Sequence, residues 1–285
     1  MRLGSLCTGY GGLDIAVSAH YGADLAWYAE VDKDCSHVLD HHWPAQRNLG
    51  DLTQISFNTW GRMEAVDVLC CGFPCQPFSV AGRKRGSDDE RAIFPFIADG
   101  ISVLRPGIVV LENVAAIAGF PHGRGGGLDV VATLTGLGYG CRWGVVRASD
   151  AGAPHRRARW FCVARSTDPS SQRYGSRKNG RGVGHLDRRD ESQTRQRQRP
   201  RPEPVDRSSA FGVYADRITR WERTLGRPAP APLLDGQLSS RFVEWMMGLE
   251  NHVCGLGLSR TAELKALGNG VCPQQAALAL TLLDD

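Results

Sequence analysis

The fold is decided by the stretch Leu3–His20, whose sequence is LGSLCTGYGGLDIAVSAH. Leu3–Leu6 is a short apolar run typical of a buried strand, and Leu13–His20 carries apolar residues at helical spacing. Between them lies the turn Gly9-Tyr10-Gly11-Gly12. Glycine lets the backbone approach a ligand closely, and a helix N-terminus offers free N–H groups. The stretch predicts a strand, a turn and a helix. The turn either binds a ligand or has only a structural role.

Two further segments extend this unit. Ala23–Ala29 predicts a second strand that ends in Glu30-Val31-Asp32, and Asn48–Leu52 predicts a third, with Asp51 at its tip. An acidic residue about twenty residues after the glycines is placed to accept ribose hydroxyls. Because the ends of parallel strands meet at one sheet edge, the turn, Glu30 and Asp51 should share one crevice. The pattern favours a Rossmann-like fold with an adenosine-bearing cofactor. The alternative is that the acidic residues at the strand ends are ordinary solvated carboxylates.

A candidate nucleophile follows the fourth predicted strand, Val66–Cys71. The next motif is Pro74-Cys75-Gln76-Pro77, in which two prolines fix φ on either side of one thiol. A single cysteine on a stiff turn beyond a strand is a candidate nucleophile, although free thiols are more often buried and inert. The small, basic segment Ser79–Arg91 then predicts a loop that moves.

Later segments add charged residues at strand ends. Gly107–Leu111 predicts a fifth strand that ends in Glu112-Asn113-Val114, and Tyr139–Arg147 predicts another. Arg157 and Arg159 precede the apolar run 160–163; on one strand they would share a face and point at one ligand, or form an exposed basic edge. Helices are predicted at Cys35–Asp40, Ile93–Leu104, Leu128–Leu137, Phe211–Leu225 and Pro273–Leu283.

The charge is unevenly distributed along the chain. The 285 residues carry a net charge of +4. Arg165–Arg207 holds eleven Arg and one Lys against six acidic residues, a local +6 that leaves −2 for the remainder. A basic segment on a near-neutral body favours a polyanionic partner. The alternative is that this segment is only a solvated linker. Ser166–Asp206 is also poor in apolar residues and shows no regular pattern.

Several classes of protein are disfavoured. The nine cysteines are an odd number without paired CxxC spacing, which favours reduced thiols over a disulfide framework and completes no zinc-ligand pattern. No apolar run of about twenty residues predicts a membrane span. The first residues read as a strand rather than a signal peptide.

Taken in order, these residues resemble the DNA methyltransferases that form 5-methylcytosine, over residues 1–165 and again over about 236–285. The motifs that carry the resemblance are Thr8-Gly9-Tyr10-Gly11-Gly12, Glu30-Val31-Asp32, Asp51, Gly72-Phe73-Pro74-Cys75-Gln76-Pro77-Phe78-Ser79, Glu112-Asn113-Val114, His155-Arg156-Arg157-Ala158-Arg159 and Gly268-Asn269-Gly270-Val271. Three positions depart from the family pattern: Cys7 stands in place of Phe, His155 in place of Gln, and Gly270 in place of Ser.

The resemblance implies an α/β fold of the Rossmann-like, S-adenosylmethionine-dependent methyltransferase type. This is a mostly parallel twisted sheet with helices on both faces, plus a small, irregular target-recognition region. Residues 1–165 would form the catalytic domain, 166–236 the basic recognition region, and 237–285 a segment returning to the catalytic domain. The implied reaction methylates C5 of a flipped cytosine in DNA through a covalent bond between Cys75 and C6.

The resemblance also assigns residues to roles. Cys75 would be the nucleophile, Glu112 would hold the N3 and N4 edge of the base, Arg157 would contact its O2 side, and Arg159 would support Arg157. The implied cofactor residues are Cys7, Thr8, Gly9, Gly11, Gly12, Glu30, Val31, Asp51, Leu52, Pro74, Asn269 and Gly270. The implied substrate residues are Gln76, Ser79, Arg83 and Asn113. No metal is implied.

The expected partner is double-stranded DNA, with no membrane, for a monomer in the cytoplasm of a bacterial cell or a phage-infected host. Ser79–Arg91 would close on the DNA, as gating loops do in many enzymes. Three alternatives stay open. They are a tRNA cytosine-5 methyltransferase, a non-catalytic DNA-binding relative, and an NAD-dependent oxidoreductase, the last disfavoured because GxGxxG spacing is missing.

Overall fold

One sheet of seven strands organises the computed structural model, which describes residues 1–74, 93–120, 123, 125–168 and 211–284. The strands are β1 (Arg2–Leu6), β2 (Asp24–Ala29), β3 (Arg47–Asn48), β4 (Val68–Gly72), β5 (Ile108–Val114), β6 (Tyr139–Arg147) and β7 (Ala158–Ser166). Their order in the sheet is β3-β2-β1-β4-β5-β7-β6. The pairs among β1 to β5 are parallel, whereas β7 runs antiparallel to both β5 and β6. The expected mostly parallel sheet is confirmed.

The described helices alternate with the strands from β1 to β6, and the remaining four follow β7. They are α1 (Gly12–Tyr21), α2 (Lys33–His42), α3 (Phe57–Trp60), α4 (Phe94–Leu104), α5 (Gly127–Gly136), α6 (Ala215–Leu225), α7 (Ser240–Met246), α8 (Arg260–Asn269) and α9 (Pro273–Leu283). None of these helices is long and apolar enough to cross a membrane.

Both faces of the central strands are covered by helices. In β4, Val68 and Cys70 belong to a core that includes residues of α1 and α9. Leu69 and Cys71 alternate with them and belong to a second core, with residues of α4 and α5. Successive side chains of a strand point to opposite faces, so a strand covered on both faces is apolar throughout. This explains the uninterrupted apolar run of β4 and confirms the expected layers.

A glycine in β1 leaves room for a large side chain of the neighbouring strand. Gly4 of β1 pairs with Trp27 of β2. A Cβ atom on Gly4 would lie 2.5 Å from Cζ2 of the Trp27 ring, which is almost fully buried. The indole therefore occupies the space that a side chain at position 4 would need.

The third strand is shorter than the sequence predicts. It contains only Arg47 and Asn48, and Asp51 instead caps a short 3-10 turn by accepting a hydrogen bond from the backbone of Thr53. Asn48 causes the early end, because its Oδ1 accepts N–H groups from both Glu30 and Gly50 and so turns the chain. Asp51 nevertheless remains at the sheet edge.

The C-terminal helices pack back onto the first part of the chain. Helix α9 contacts α1, β6 and β7, and α8 contacts α2. Helix α6 joins α7 through a small apolar cluster that includes Ile218, Trp221, Phe242 and Trp245. The sequence did not predict the hairpin of β8 (Leu233–Leu234) and β9 (Gln237–Leu238), although its Asp235-Gly236 turn has the positive φ values that Asp-Gly favours.

Candidate active site

A cavity of about 460 Å³ lies where β1, β2, β4 and β5 end. Strand β1 stands between β2 and β4, so the chain order reverses beside it, and ligands bind at such switch points. The expected cofactor residues that line the cavity are Cys7, Thr8, Gly9, Glu30, Val31, Asp51, Leu52, Pro74, Asn269 and Gly270. The crevice expected from three strand ends is therefore present.

Glu30 joins the glycine turn to the end of β2. Its Oε2 accepts the N–H of Gly9 at 2.7 Å, and its Oε1 accepts the N–H of Asp32 at 2.7 Å. Burial is the main cause that raises the pKa of Glu30 above its usual value, and hydrogen bonds from the backbone of Asp32, Gly9 and Val31 act against it. A carboxylate has about four acceptor positions, so at least one remains for a ligand in the cavity.

Gly11 and Gly12 have a different role from Gly9. Neither lines the cavity. Gly11 has φ +87°, and a Cβ atom there would lie 2.8 Å from the Trp43 ring; one on Gly12 would lie 2.6 Å from Cε2 of Tyr10. These two glycines permit tight packing behind the turn, whereas the space over Gly9 is open.

The end of β5 carries a buried ion pair. Nε of Arg159 lies 3.0 Å from Oε1 of Glu112, and both side chains line the cavity. Burial raises the pKa of Glu112 to about 7, although the positive charges of Arg159 and Arg157 lower it. Near neutral pH this carboxyl group is therefore present in both forms and is suited to proton transfer.

Arg157 departs from the sequence prediction. It precedes β7 instead of lying on it, has φ +33°, and does not line the cavity. Its Nη2 donates hydrogen bonds to the carbonyl oxygens of Gly268, at 2.9 Å, and Gly270. The expectation that Arg157 and Arg159 share one strand face is wrong, because the left-handed backbone at Arg157 turns its side chain to the C-terminal segment.

Asn113 lines the cavity, but its side chain is bound to the backbone. Its Nδ2 donates to the carbonyl of Phe73 at 3.0 Å, and its Oδ1 accepts from Val114 at 2.8 Å. It therefore holds the Phe73-Pro74 segment against β5. The remaining expected residues lie outside the described part of the chain: Cys75, Gln76, Ser79 and Arg83. The same holds for the predicted loop Ser79–Arg91 and for most of the recognition region expected at 166–236.

Sequence reasoning missed Asp14. This residue of α1 lines the cavity and is only 1 % exposed. Its Oδ1 accepts a weak hydrogen bond from Cys70, and its Oδ2 has no hydrogen-bond partner among the described residues. Burial raises the pKa of Asp14 to about 6. No local signal could have found it, since an acidic residue in the first turn of a helix is ordinarily solvated.

His155, which departs from the family pattern, also has a structural contact. Its Nε2 donates to the carbonyl of Met246 at 3.0 Å and ties the turn before β7 to α7. Burial lowers the pKa of His155, so the neutral ring is favoured. The substitution leaves Glu112 and Arg159 in place.

Comparison with known proteins agrees with this geometry. The sequence model of the C-5 cytosine-specific DNA methylase family matches residues 1–216. The type II methyltransferase M.HhaI of Haemophilus parahaemolyticus is 32% identical over 176 residues, which cover 61% of this chain and 52% of that protein. A DNA N-6-adenine-methyltransferase of Escherichia phage P1 is 39% identical over 125 residues, which cover 40% of this chain and 16% of that protein.

The chain thus spans about half the length of M.HhaI and a small part of the phage protein. The crystal structure of the S. pombe Dnmt2 methyltransferase superposes with a TM-score of 0.64 over 99% of this chain and 98% of that one. At 14% identity this likeness shows the fold alone. The family match covers most of the sequence, and it includes the strand ends that form the cavity. The chain belongs to the C-5 cytosine-specific DNA methylase family.

Proposed function

We propose that this chain transfers a methyl group from S-adenosylmethionine to C5 of cytosine in double-stranded DNA. The observation that carries the proposal is the buried pair of Glu112 and Arg159. It lies in the same cavity as the glycine turn and Glu30. A site for an adenosine-bearing group and a proton-transferring carboxyl group therefore share one space.

The cavity fits S-adenosylmethionine. Its volume lies within the range of small-molecule sites, roughly 300–1,000 Å³. Gly9 leaves open space over the turn, Glu30 keeps an acceptor position for a ribose hydroxyl, and Val31 offers an apolar side chain that is 71% exposed. The buried acids Asp14 and Glu30 suit a cationic group. When bound there, the cofactor supplies a methyl group on a sulfonium centre.

The chemistry needs a nucleophile and a proton donor. Cytosine C5 is a poor nucleophile, but addition of the Cys75 thiolate to C6 converts the ring into an enamine. Glu112 favours that addition by protonating N3, which its pKa of about 7 allows near neutral pH. After C5 gains the methyl group, solvent water takes the C5 proton, and the electrons of the C5–H bond form the C5–C6 double bond and expel the thiolate. N3 returns its proton to Glu112.

The placement of the neighbouring residues supports this assignment. Gly72, at the end of β4, pairs directly with Glu112 of β5. Pro74, the residue that precedes Cys75 in the sequence, lines the cavity together with Glu112. The motif that contains the thiol therefore begins beside the carboxyl group.

DNA as the substrate is supported by charge. Within the described part of the recognition region, α6 exposes Arg217, Arg220 and Arg223. Spacings of three residues place these side chains near one another on a helix, where they suit the phosphate backbone. We expect binding that weakens steeply with salt.

The test incubates the purified chain and methyl-labelled cofactor with unmethylated duplex DNA or with tRNA. Label is expected in DNA as 5-methylcytosine. Cys75→Ser should abolish transfer and leave cofactor binding intact, whereas Cys141→Ser, at a half-buried thiol outside the cavity, should retain transfer. Label confined to tRNA, or to adenine N6, would replace the proposal with another transferase. Cofactor binding without any transfer would make the chain a binding protein.

A second experiment tests the covalent step. In DNA that contains 5-fluorocytosine, C5 carries fluorine and cannot lose a proton, so the C6–S bond should persist. A denaturation-resistant complex that needs both the cofactor and Cys75 is expected. If Cys75→Ser forms the same complex, the assigned nucleophile is wrong.

A further inference from the structure

Gln275, in the first turn of α9, is completely buried and makes two hydrogen bonds across the fold. Its Nε2 donates to the carbonyl oxygens of Val146, at 2.8 Å, and Arg157, at 2.7 Å. Backbone carbonyls only accept hydrogen bonds, so the amide nitrogen must face them. The amide oxygen has no hydrogen-bond partner among the described residues.

Packing alone does not account for a glutamine at this place. A buried polar atom without a partner is costly, and an apolar side chain of the same shape would avoid that cost. An apolar side chain would not make the two donated hydrogen bonds, so these hydrogen bonds are the reason for a glutamine. One of them reaches the carbonyl of Arg157, which lies 118 residues away in the chain.

Arg157 needs such support. Its φ of +33° lies in the left-handed region of the backbone. Residues other than glycine adopt this conformation at a cost in free energy, and it persists only when surrounding contacts hold it. Its guanidinium donates to the carbonyls of Gly268 and Gly270. The segment 268–275 therefore holds Arg157 at both ends, at the guanidinium through two glycine carbonyls and at the backbone through Gln275.

We propose that Gln275 is a positioning residue that sets the place of Arg157 beside the methyl-transfer site. The inference rests on the proposed function. Arg157 does not line the cavity, so it would act through Gly268 and Gly270, which line the cavity and whose carbonyls it binds. The positive charge of Arg157, after that of Arg159, also lowers the pKa of Glu112. Without the hydrogen bond from Gln275 to its carbonyl, the backbone at Arg157 loses one of the contacts that oppose relaxation to negative φ. Such a change would carry the guanidinium away from Gly268 and Gly270.

The test compares two adjacent glutamines. Gln275→Met keeps the length of the side chain and removes both donors. Gln274→Met is the matched control, because Gln274 binds the carbonyl of Gly248 and the thiol of Cys272 and does not contact Arg157. We expect Gln275→Met to lower kcat at least about tenfold, the loss expected for one good hydrogen bond, and the control to change kcat by less than about threefold. The KM for the cofactor should stay nearly unchanged in both.

A double-mutant cycle separates positioning from general stability. Arg157→Lys removes the planar guanidinium that reaches both glycine carbonyls. If Gln275 acts through Arg157, adding Gln275→Met to Arg157→Lys should lower kcat by less than about threefold further. Losses that multiply independently would overturn the proposal.

A readout without turnover distinguishes this proposal from the proposed function. In protein with ¹⁵N-labelled arginine, the Nε–H signal of Arg157 is identified by its absence in Arg157→Lys. We expect Gln275→Met to shift or broaden that signal and Gln274→Met to leave it unchanged. An unchanged signal in Gln275→Met refutes the positioning role, whether or not the chain methylates DNA. A changed signal in a chain that transfers no methyl group refutes only the catalytic part. If Gln275→Met does not fold, Gln275→Asn, too short to reach both carbonyls, replaces it.

Discussion

Replacement of Gly270 by serine should destabilise the protein through a single steric conflict with Tyr10. The backbone at Gly270 has φ −75° and ψ −177°, which any residue adopts, so the substitution carries no conformational strain. A Cβ atom there would lie 2.5 Å from Cδ1 and 2.6 Å from Cζ of the Tyr10 ring, and closer still to Cε1. Real Cβ atoms essentially never come within 3.0 Å of another heavy atom, so one of the two groups must move.

The ring cannot move without loss. Tyr10 is completely buried, and its hydroxyl donates to the carbonyl of Val271. Its own carbonyl accepts a hydrogen bond from Nε2 of His252 at 2.7 Å. Overpacking of a core typically costs about 1–3 kcal/mol, and a buried partner left without its hydrogen bond costs about 1–3 kcal/mol more. We therefore expect Gly270→Ser to lower the free energy of unfolding by about 3 kcal/mol.

A double-mutant cycle tests this explanation. Each variant is unfolded in urea, and tryptophan fluorescence reports the unfolding. Tyr10→Leu removes the conflicting ring atoms and alone should cost about 2–3 kcal/mol, from lost packing and the lost hydrogen bond. In Tyr10→Leu/Gly270→Ser the serine has room, so the combined cost should fall short of the sum by at least about 1 kcal/mol. Gly268→Ser is the control in the same motif, because the space over Gly268 is open. Additive costs, or an equal loss in the control, would refute the steric explanation.

Three further predictions concern separate parts of the molecule. Gly4→Ala should lower the unfolding free energy by about 1–3 kcal/mol, because its Cβ would lie 2.5 Å from the Trp27 ring, whereas Gly119→Ala, in open space, should change it by less than about 0.5 kcal/mol in the same urea assay. The pKa of Glu112 is raised to about 7. In the proposed mechanism its protonated form is the active one, so kcat/KM should fall as the pH rises above about 7; a retained fall in Glu112→Gln would assign that limb to another group. Burial, and then the charge of His42, lower the pKa of His252 from 6.5 to about 4, so its contribution to stability is complete above pH 6.5 and declines as the pH falls towards 4. The decline should reach about 3 kcal/mol and should be absent in His252→Gln, measured by urea unfolding at several pH values.

The parts of the fold that depend on local patterns were predictable from the sequence. Helix Pro273–Leu283 and strand Tyr139–Arg147 were predicted with the bounds that the structure has. Apolar periodicity distinguishes helix from strand over short windows. The crevice followed from the same patterns, because parallel strands bring their carboxyl ends to one edge. Asp51 reached that edge even though its strand ended early.

The sequence by itself determined which functional motif follows each strand and in what order. These are a glycine turn, two acidic strand ends and a thiol motif that precedes Glu112. Only the tertiary structure decided that Arg157 turns towards Gly268 and Gly270, that Gln275 holds its carbonyl, and that Tyr10 excludes a side chain at position 270. The physical reason is the distance along the chain. The contact between Arg157 and Gln275 joins residues 118 apart, and that between Tyr10 and Val271 joins residues 261 apart. Periodicity and turn propensity act over a few neighbouring residues, whereas these contacts exist only once the C-terminal helices have packed against the sheet.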